Sequence, residues 1–469
     1  MKLSIPLKPF KTFGGAKVPH RKHTHSASSE VIPTPEKVTL PMQMHIGAPC
    51  KPLVKVGQQV LIGEKIGESD TFISAPIHAT VSGKVSALEK VVLTDGKIVD
   101  AIVITSDGEN TLSPDIQPPV INSTEDFVCA VRESGLVGLG GAGFPTHAKV
   151  KIPKDKTIHT LLINAAECEP HITSDHREML ENADRVIDGM FSIAKYLNIK
   201  QIIIGIESNK PDAIELLKEK LAADSRNANG IAGVLSLRAV YPQGAEKVLI
   251  QAATGKQLAT GKLPSDLGCL IMNVTTVGFI SDYLKTGIPL VTKRITVDGS
   301  AISIPKNVIA PIGTKLQDIV EFCGGYQEEV QKILLGGPMM GLAIPSDNFQ
   351  VMKQSNGILF LGEQDINKKR TTACIHCGSC VTVCPMHLEP YALEENMNKR
   401  ITERLRKLAV MTCIECGSCS FVCPANRPLV HSIRLGKNLI RKEDAEEKAK
   451  LDAAKAKTES TASTVKTNA

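Results

Sequence analysis

Tryptophan is absent from this chain and aromatic residues make up only 3% of it, which argues against a platform of stacked rings for single-stranded nucleic acid. Charge of one sign is also lacking. The net charge is +6, with much of the basic excess near the N-terminus and from Lys399 onward, so no general nucleic-acid footprint is expected. Long apolar runs are missing too: none reaches the ~18 residues that a membrane-spanning helix needs, and the N-terminal stretch has no apolar core of the secretory kind. A soluble, cytosolic protein, or one held at a membrane by partners, is the expectation. Its 469 residues exceed one ordinary core, and a hydrophobic share of 42% is enough to fill several.

What the chain does have is cysteine, 13 residues in all. In a small secreted protein these would form disulfides, but this chain is large, and most of them fall in two matching runs, CIHCGSCVTVCP (374–385) and CIECGSCSFVCP (413–424). Both read C-x2-C-x2-C-x3-C-P. Three thiolates spaced in this way wrap one corner of a four-iron cubane, while the last, beyond a short helical turn, points to the other cluster. Crossed ligation of two [4Fe-4S] clusters follows. Cys374, Cys377, Cys380 and Cys423 hold the first; Cys384, Cys413, Cys416 and Cys419 hold the second. Gly378 and Gly417 keep backbone amides close to the sulfurs, and Pro385 and Pro424 end the ligand loops. A structural zinc pair is the plainer alternative, although such sites more often use two separate C-x2-C pairs. Cys50, Cys129, Cys168, Cys269 and Cys323 are isolated, and most of them read as small buried hydrophobes.

Clusters pass electrons singly, and something must load them. Upstream, GLVGLGGAGFPTHAK (135–149) packs Gly138, Gly140, Gly141 and Gly143 into a short span, where a backbone without side chains can approach a phosphate or a flat ring. The spacing is not the dinucleotide fingerprint, and DFVCAVRESGLVG before it has a helical pattern instead of a strand. Then TLLINAAECEPHITSDHRE (160–178) gives an apolar strand ending in Asn164, followed by Glu167, Glu169 and Asp175. Polar groups gathered at the carboxyl end of a strand mark the ligand edge of an open α/β sheet.

GLGGAGFPTHAK and INAAECEP resemble the GRGGAGFPTGLK and NADEGEP segments of the flavin subunit of respiratory complex I, which binds FMN and NADH. Joined to two cluster motifs, they are closer still to the C-subunit family of Rnf (Rsx) electron transport complexes, and the likeness runs in order from residue 10 to about 435. The resemblance implies that Gly138, Gly140, Gly141, Ala142, Gly143, Phe144 and Lys149 form the flavin and nicotinamide loop, with Asn164, Glu167 and Glu169 at the polar edge. YPQGAEK (241–247) adds Gly244 and Glu246, and MNVTT (272–276) adds Asn273 and Thr276. Glu246, Glu169 and Lys149 are the implied catalytic groups. Leu139, Ala166 and Ala245 depart from the complex I pattern, where Arg, Asp and Glu stand. Glu169 and Glu246 also suit simple helix-capping roles.

The implied fold is multidomain, α/β and β. After an N-terminal extension (1–39) comes a barrel-sandwich, lipoyl-like domain (40–119), in which SDTF (69–72) replaces the hairpin lysine that a swinging arm needs. An α/β FMN/NADH-binding domain (120–290) and a β-grasp (SLBB) domain (291–361) precede a helical ferredoxin-like two-cluster domain (362–435), and a charged tail (436–469) is expected to fade into disorder. HRKHTH (20–25) reads as a solvated basic stretch in preference to a metal site. The family implies NAD(H), FMN and two [4Fe-4S] clusters as cofactors. It implies membrane subunits and an iron-sulfur subunit as partners, and a peripheral place on the cytoplasmic face of the bacterial inner membrane. A cobalamin reductase is the alternative within the enzyme class; an electron conduit with a decayed flavin site is the alternative outside it.

Overall fold

The computed structural model describes residues 5–466, with side chains described as far as Asp452. Two compact units are present, one holding most of the chain up to Asn367 and the other holding Lys368 onward together with Phe13–Ala16.

The larger unit opens with the barrel sandwich. Its longest pair, Gly83–Val92 and Ile98–Ser106, is antiparallel and is joined through the Asp95-Gly96 turn, where Gly96 takes φ 82°. Next comes a parallel sheet of four strands in the order Ala232–Leu237, Gln201–Glu207, Thr160–Ala165, Cys269–Asn273. QIIIGIE is buried at every residue, which is why it shows no alternation: a parallel strand covered on both faces reads as a continuous apolar run. The order of connection reverses between Thr160–Ala165 and Cys269–Asn273, and the carboxyl ends at such a reversal are where open α/β sheets bind ligands. One apolar core runs through both the barrel and this layer, from Val38 and Ile102 to Ile204 and Val277.

The third layer is a six-stranded mixed sheet with the helix Leu316–Phe322. Its edge strand comes from the N-terminus, since Ser29–Val31 pairs parallel with Lys306–Pro311. The segment before it is solvated only in part. Thr24 is 1% exposed, and Lys22 donates from Nζ to the carbonyls of Glu167 (2.9 Å), Glu169 (2.8 Å) and Ile172. The solvated reading of HRKHTH holds for His20, Arg21, His23 and His25, which are exposed, and is corrected for Lys22 and Thr24: a lysine facing three carbonyls and a carboxylate is better satisfied inside than a solvent-facing pattern suggests.

In the smaller unit, Leu388, Leu393, Leu405, Val410, Ile433 and Ile440 form the core. The helix that begins at Leu429 continues to Lys466, so the boundary expected at 435 falls inside a helix. Among the described residues no helix is long and apolar enough to cross a membrane.

Candidate functional site

The two cysteine runs fold alike. His376 and Glu415, Gly378 and Gly417, and His387 and Asn426 occupy matching places in the repeats, and all six take φ between 51° and 79°. Each left-handed residue turns the chain back toward its sulfurs. The result is two cavities with crossed walls. One is lined by Cys374, Cys377, Cys380 and Cys423, the other by Cys384, Cys413, Cys416 and Cys419. All eight are free thiols. Burial pushes Cys419 up to about 12, and Cys416, Cys413 and Cys384 add to it by mutual repulsion. Burial likewise pushes Cys413 up to about 11. Four crowded thiols of this kind ionise together only around a multivalent cation, so the donor set fits a four-iron cluster in each cavity.

At the sheet edge, Asn164 and Asn273 are register partners at the ends of adjacent strands. Asn164 donates from Nδ2 to the Gly244 carbonyl at 2.8 Å. Asn273 caps the helix Val274–Thr286 by accepting from the Thr276 amide at 3.2 Å, and it donates to Asp175 Oδ2 at 2.7 Å. Thr276 Oγ1 in turn accepts from the Leu139 amide at 3.0 Å, fixing the glycine-rich loop from beneath.

At Gly140 that loop lies against its support with no room for a side chain. A Cβ on Gly140 would stand 2.3 Å from Asn273 Nδ2, whereas one on Gly141 would meet nothing within 4 Å. Gly140, Gly141, Ala142 and Phe144 are exposed, so the tip offers bare backbone to whatever lies above it. Gly138 closes the loop by donating to the Phe144 carbonyl at 2.9 Å, and Gly143, at φ 69°, accepts from Ile46 of the barrel at 3.0 Å. The hairpin tip of the barrel docks nearby: the Phe72 ring stacks edge-on with His147 at 5.1 Å, and Lys151 sits 4.5 Å from its centroid. Leu139, which departs from the complex I pattern, is core here, only 2% exposed. Lys149 Nζ lies 3.4 Å from Glu246 Oε2 across the loop mouth, and both side chains are partly exposed.

The two remaining acids turn inward. Glu167 accepts from the amides of Asp175 (2.6 Å) and His176 (3.3 Å) at the start of the helix Ser174–Glu181. Burial pushes it up to about 7, against the pull of Lys22. Glu169 accepts from the Tyr241 hydroxyl at 3.0 Å and from the Met339 amide at 3.0 Å, and burial raises it above the usual carboxylate range. Asp175, which joins Asn273 to Thr275 (2.7 Å to each), is the residue that the candidate set lacked, although it stands in the same polar run. The cradle fits a flat ring with a phosphate tail. Gly140 admits no Cβ against Asn273, Gly141 stands in open space, and Gln243, next to Gly244, keeps a buried Nε2 without a partner among the described residues.

Four family models match successive stretches of the chain. Residues 10–109 match the RnfC barrel sandwich hybrid domain, 131–282 the Nuo51 FMN-binding domain, 294–343 the SLBB domain and 373–427 the 4Fe-4S dicluster domain. Over 437 residues the chain is 43% identical to the C subunit of the Na(+)-translocating ferredoxin:NAD(+) oxidoreductase complex of Acetobacterium woodii, covering 91% of this chain and 96% of that protein. It is 42% identical over 447 residues to the C subunit of the proton-translocating ferredoxin:NAD(+) oxidoreductase complex of Clostridium ljungdahlii, covering 94% and 96%. It is 38% identical over 443 residues to the C subunit of the ion-translocating oxidoreductase complex of Rhodobacter capsulatus, covering 93% and 84%.

Proposed function

The chain belongs to the family of C subunits of ion-translocating ferredoxin:NAD(+) oxidoreductase complexes, and from that premise we propose a division of labour among its residues. It is the NADH-oxidising flavin and iron-sulfur subunit of such a complex. FMN, when bound, exchanges an electron pair with NAD(H) and releases or collects the electrons singly, which matches clusters that carry one each.

The chain's own residues prepare that exchange. Gly140, Gly141 and Ala142 let the backbone lie against the ring, while Asn273 and Thr276 hold the loop in place from below. Asn164 and Gly244 set the opposite lip. Lys149 supplies a cation at the mouth for a nucleotide phosphate, and Glu246 is its partner until a ligand arrives. Glu167 and Glu169 act as positioning residues, since their carboxylates are already met by the chain's own donors. The single observation that carries this reading is the close approach of the loop to Asn273 at Gly140, where a Cβ would stand 2.3 Å from Nδ2, beside the open space at the exposed Gly141.

Relatives of almost equal identity move different ions, 43% for the sodium-linked protein and 42% for the proton-linked one, which supports placing the choice of ion in partner subunits. The partners are membrane subunits and a further iron-sulfur subunit, and the site of docking is the cytoplasmic face of the inner membrane. The test is an anaerobic visible spectrum of the purified chain. A flavin band that bleaches with NADH is expected; cluster absorbance without flavin would instead establish the conduit.

A further inference from the structure

Away from the flavin edge and the clusters, three groups from three parts of the chain converge. His23 comes from the N-terminal segment, His171 from the turn after the strand Thr160–Ala165, and Asp298 from the end of the strand Thr292–Asp298 in the mixed sheet. His171 Nδ1 lies 2.9 Å from Asp298 Oδ2, and His23 Nδ1 lies 3.0 Å from the same oxygen. The two rings meet edge to face at 5.4 Å, and one donor atom from each of the three residues lies within 4.8 Å of the others. Donor atoms around a tetrahedral zinc stand roughly 3.3 Å apart, as metal–ligand distances of about 2.0–2.1 Å require. The two spacings to the Asp298 oxygen, 2.9 and 3.0 Å, are close to that value, and the two rings' donor atoms lie within 4.8 Å of each other.

The surroundings suit a metal as well. The His171 and Asp298 side chains are 5% and 1% exposed, whereas that of His23 is 57% exposed, so the group is walled on one side and open on the other. It lines a cavity together with Arg21, Ser300 and Asp365. Arg21, a cation on that wall, has its charge met by Asp365 at 3.0 Å. Gly299 donates its amide to Asp298 Oδ1 at 2.7 Å, which orients the carboxylate from behind, as outer partners of metal ligands do. His171 holds φ 68°, a left-handed setting that a non-glycine residue adopts when its surroundings demand it.

We propose that His23, His171 and Asp298 form a zinc site, with water in the open fourth position, that clips the N-terminal segment and the mixed sheet to the turn carrying Glu167 and Glu169. The choice lies between two proton placements. With protons on both Nδ1 atoms, the group is a hydrogen-bonded triad; with both on Nε2, three lone pairs face one point. Zinc binding to neutral rings moves each proton to Nε2 and changes no oxidation state. The site is independent of the flavin reading, because it uses none of those residues.

The experiment uses the full chain, purified anaerobically with its clusters, freed of loose metal and titrated with zinc against a fluorescent zinc chelator. Wild type should take up about one zinc per chain, and X-ray absorption at the zinc edge should show nitrogen and oxygen ligands without sulfur. His23→Ala, at an exposed position, should lose more than about tenfold in affinity with iron and flavin contents unchanged, since loss of outer partners alone has effects of that order. His171→Ala should behave alike, and zinc should raise the melting temperature of wild type but not of His23→Ala. No uptake by wild type, equal uptake by His23→Ala, or sulfur ligation overturns the proposal in favour of the triad.

Discussion

Asn164 and Asn273 are register partners on neighbouring parallel strands, and each uses its side-chain amide to hold a different part of the site. Asn164 fastens the Gly244 turn at 2.8 Å, and Asn273 fastens Asp175 at 2.7 Å. Two residues at the reversal point of a sheet thus fix both lips of the crevice between them. The polar run after the first strand serves mainly as the frame, and the glycine loop provides the face.

Gly140→Ala follows directly from that frame. Its Cβ would stand 2.3 Å from Asn273 Nδ2, so the amide must swing away from Asp175 or the loop must lift. Flavin content should fall well below that of wild type while iron content holds, with a stability loss of about 1–3 kcal/mol from strain and the loss of one of the two side-chain donors to Asp175. Flavin-to-protein ratio and thermal melting are the measurements. Gly141→Ala, with open space around it, should melt like wild type, and any loss of flavin there reports the ligand face alone.

Crossed ligation makes an outcome that sequence order alone does not. Cys423→Ala, although it lies in the second run, should remove the same cluster as Cys377→Ala, because both line one cavity. Cys384→Ala should instead match Cys416→Ala. Electron paramagnetic resonance of the reduced variants should give two spectra, sorted by cavity, and iron should fall from about eight to about four per chain.

Much of this was legible because it is local. The cysteine runs, the glycine loop and the fully apolar strand QIIIGIE each carry their pattern within a few residues. What sequence reading missed depends on contacts between distant segments. Ser29–Val31 is too short to show alternation, and its pairing with Asn307–Ile309 has no local signal. Lys22 looked solvated beside other basic residues, yet its partners are carbonyls of residues 167, 169 and 172. Glu167 and Glu169 had the composition of a binding edge, but amide donors at Asp175, His176 and Met339, invisible as side chains, turned them inward.

Lys22→Met should therefore act as a core substitution. It strips the Glu167 and Glu169 carbonyls of a donor and leaves Glu167, already pushed up to about 7 by burial, without its nearest cation. A cost of about 3 kcal/mol or more is expected, as for any buried charge deprived of its partner. Urea unfolding of the variant should show the lower midpoint, and its flavin should dissociate at lower denaturant than its clusters.

Acid should loosen the same end of the chain through Glu181. Burial pushes this carboxyl up, but Arg294, the Ser29 amide at 2.8 Å and Arg177 outweigh it and hold the group at about 2. A depressed carboxyl contributes stability above its unfolded value near 4.5, and that contribution is lost as pH falls from there through about 2. The difference in melting temperature between wild type and Glu181→Gln should be full at pH 6 and should shrink toward zero between about pH 4.5 and 2. A difference independent of pH would mean that Glu181 acts by shape alone.

The pair at the loop mouth separates binding from folding. Lys149 and Glu246 lie 3.4 Å apart with side chains 34% and 44% exposed, so their mutual attraction contributes under about 1 kcal/mol to stability. Removal of either should hardly move the melting temperature. A nucleotide phosphate meeting Lys149 forms a charge-assisted contact of roughly 1.5–3 kcal/mol, so Lys149→Ala should lower kcat/KM for NADH by about ten- to a hundredfold, mostly through KM. Glu246→Gln should do the reverse for simple ground-state binding, since it frees Lys149 from competition, and KM should fall or hold. If Glu246→Gln instead loses kcat with KM unchanged, the carboxylate touches the reacting nicotinamide, and its role is catalytic, not that of a stand-in for the phosphate.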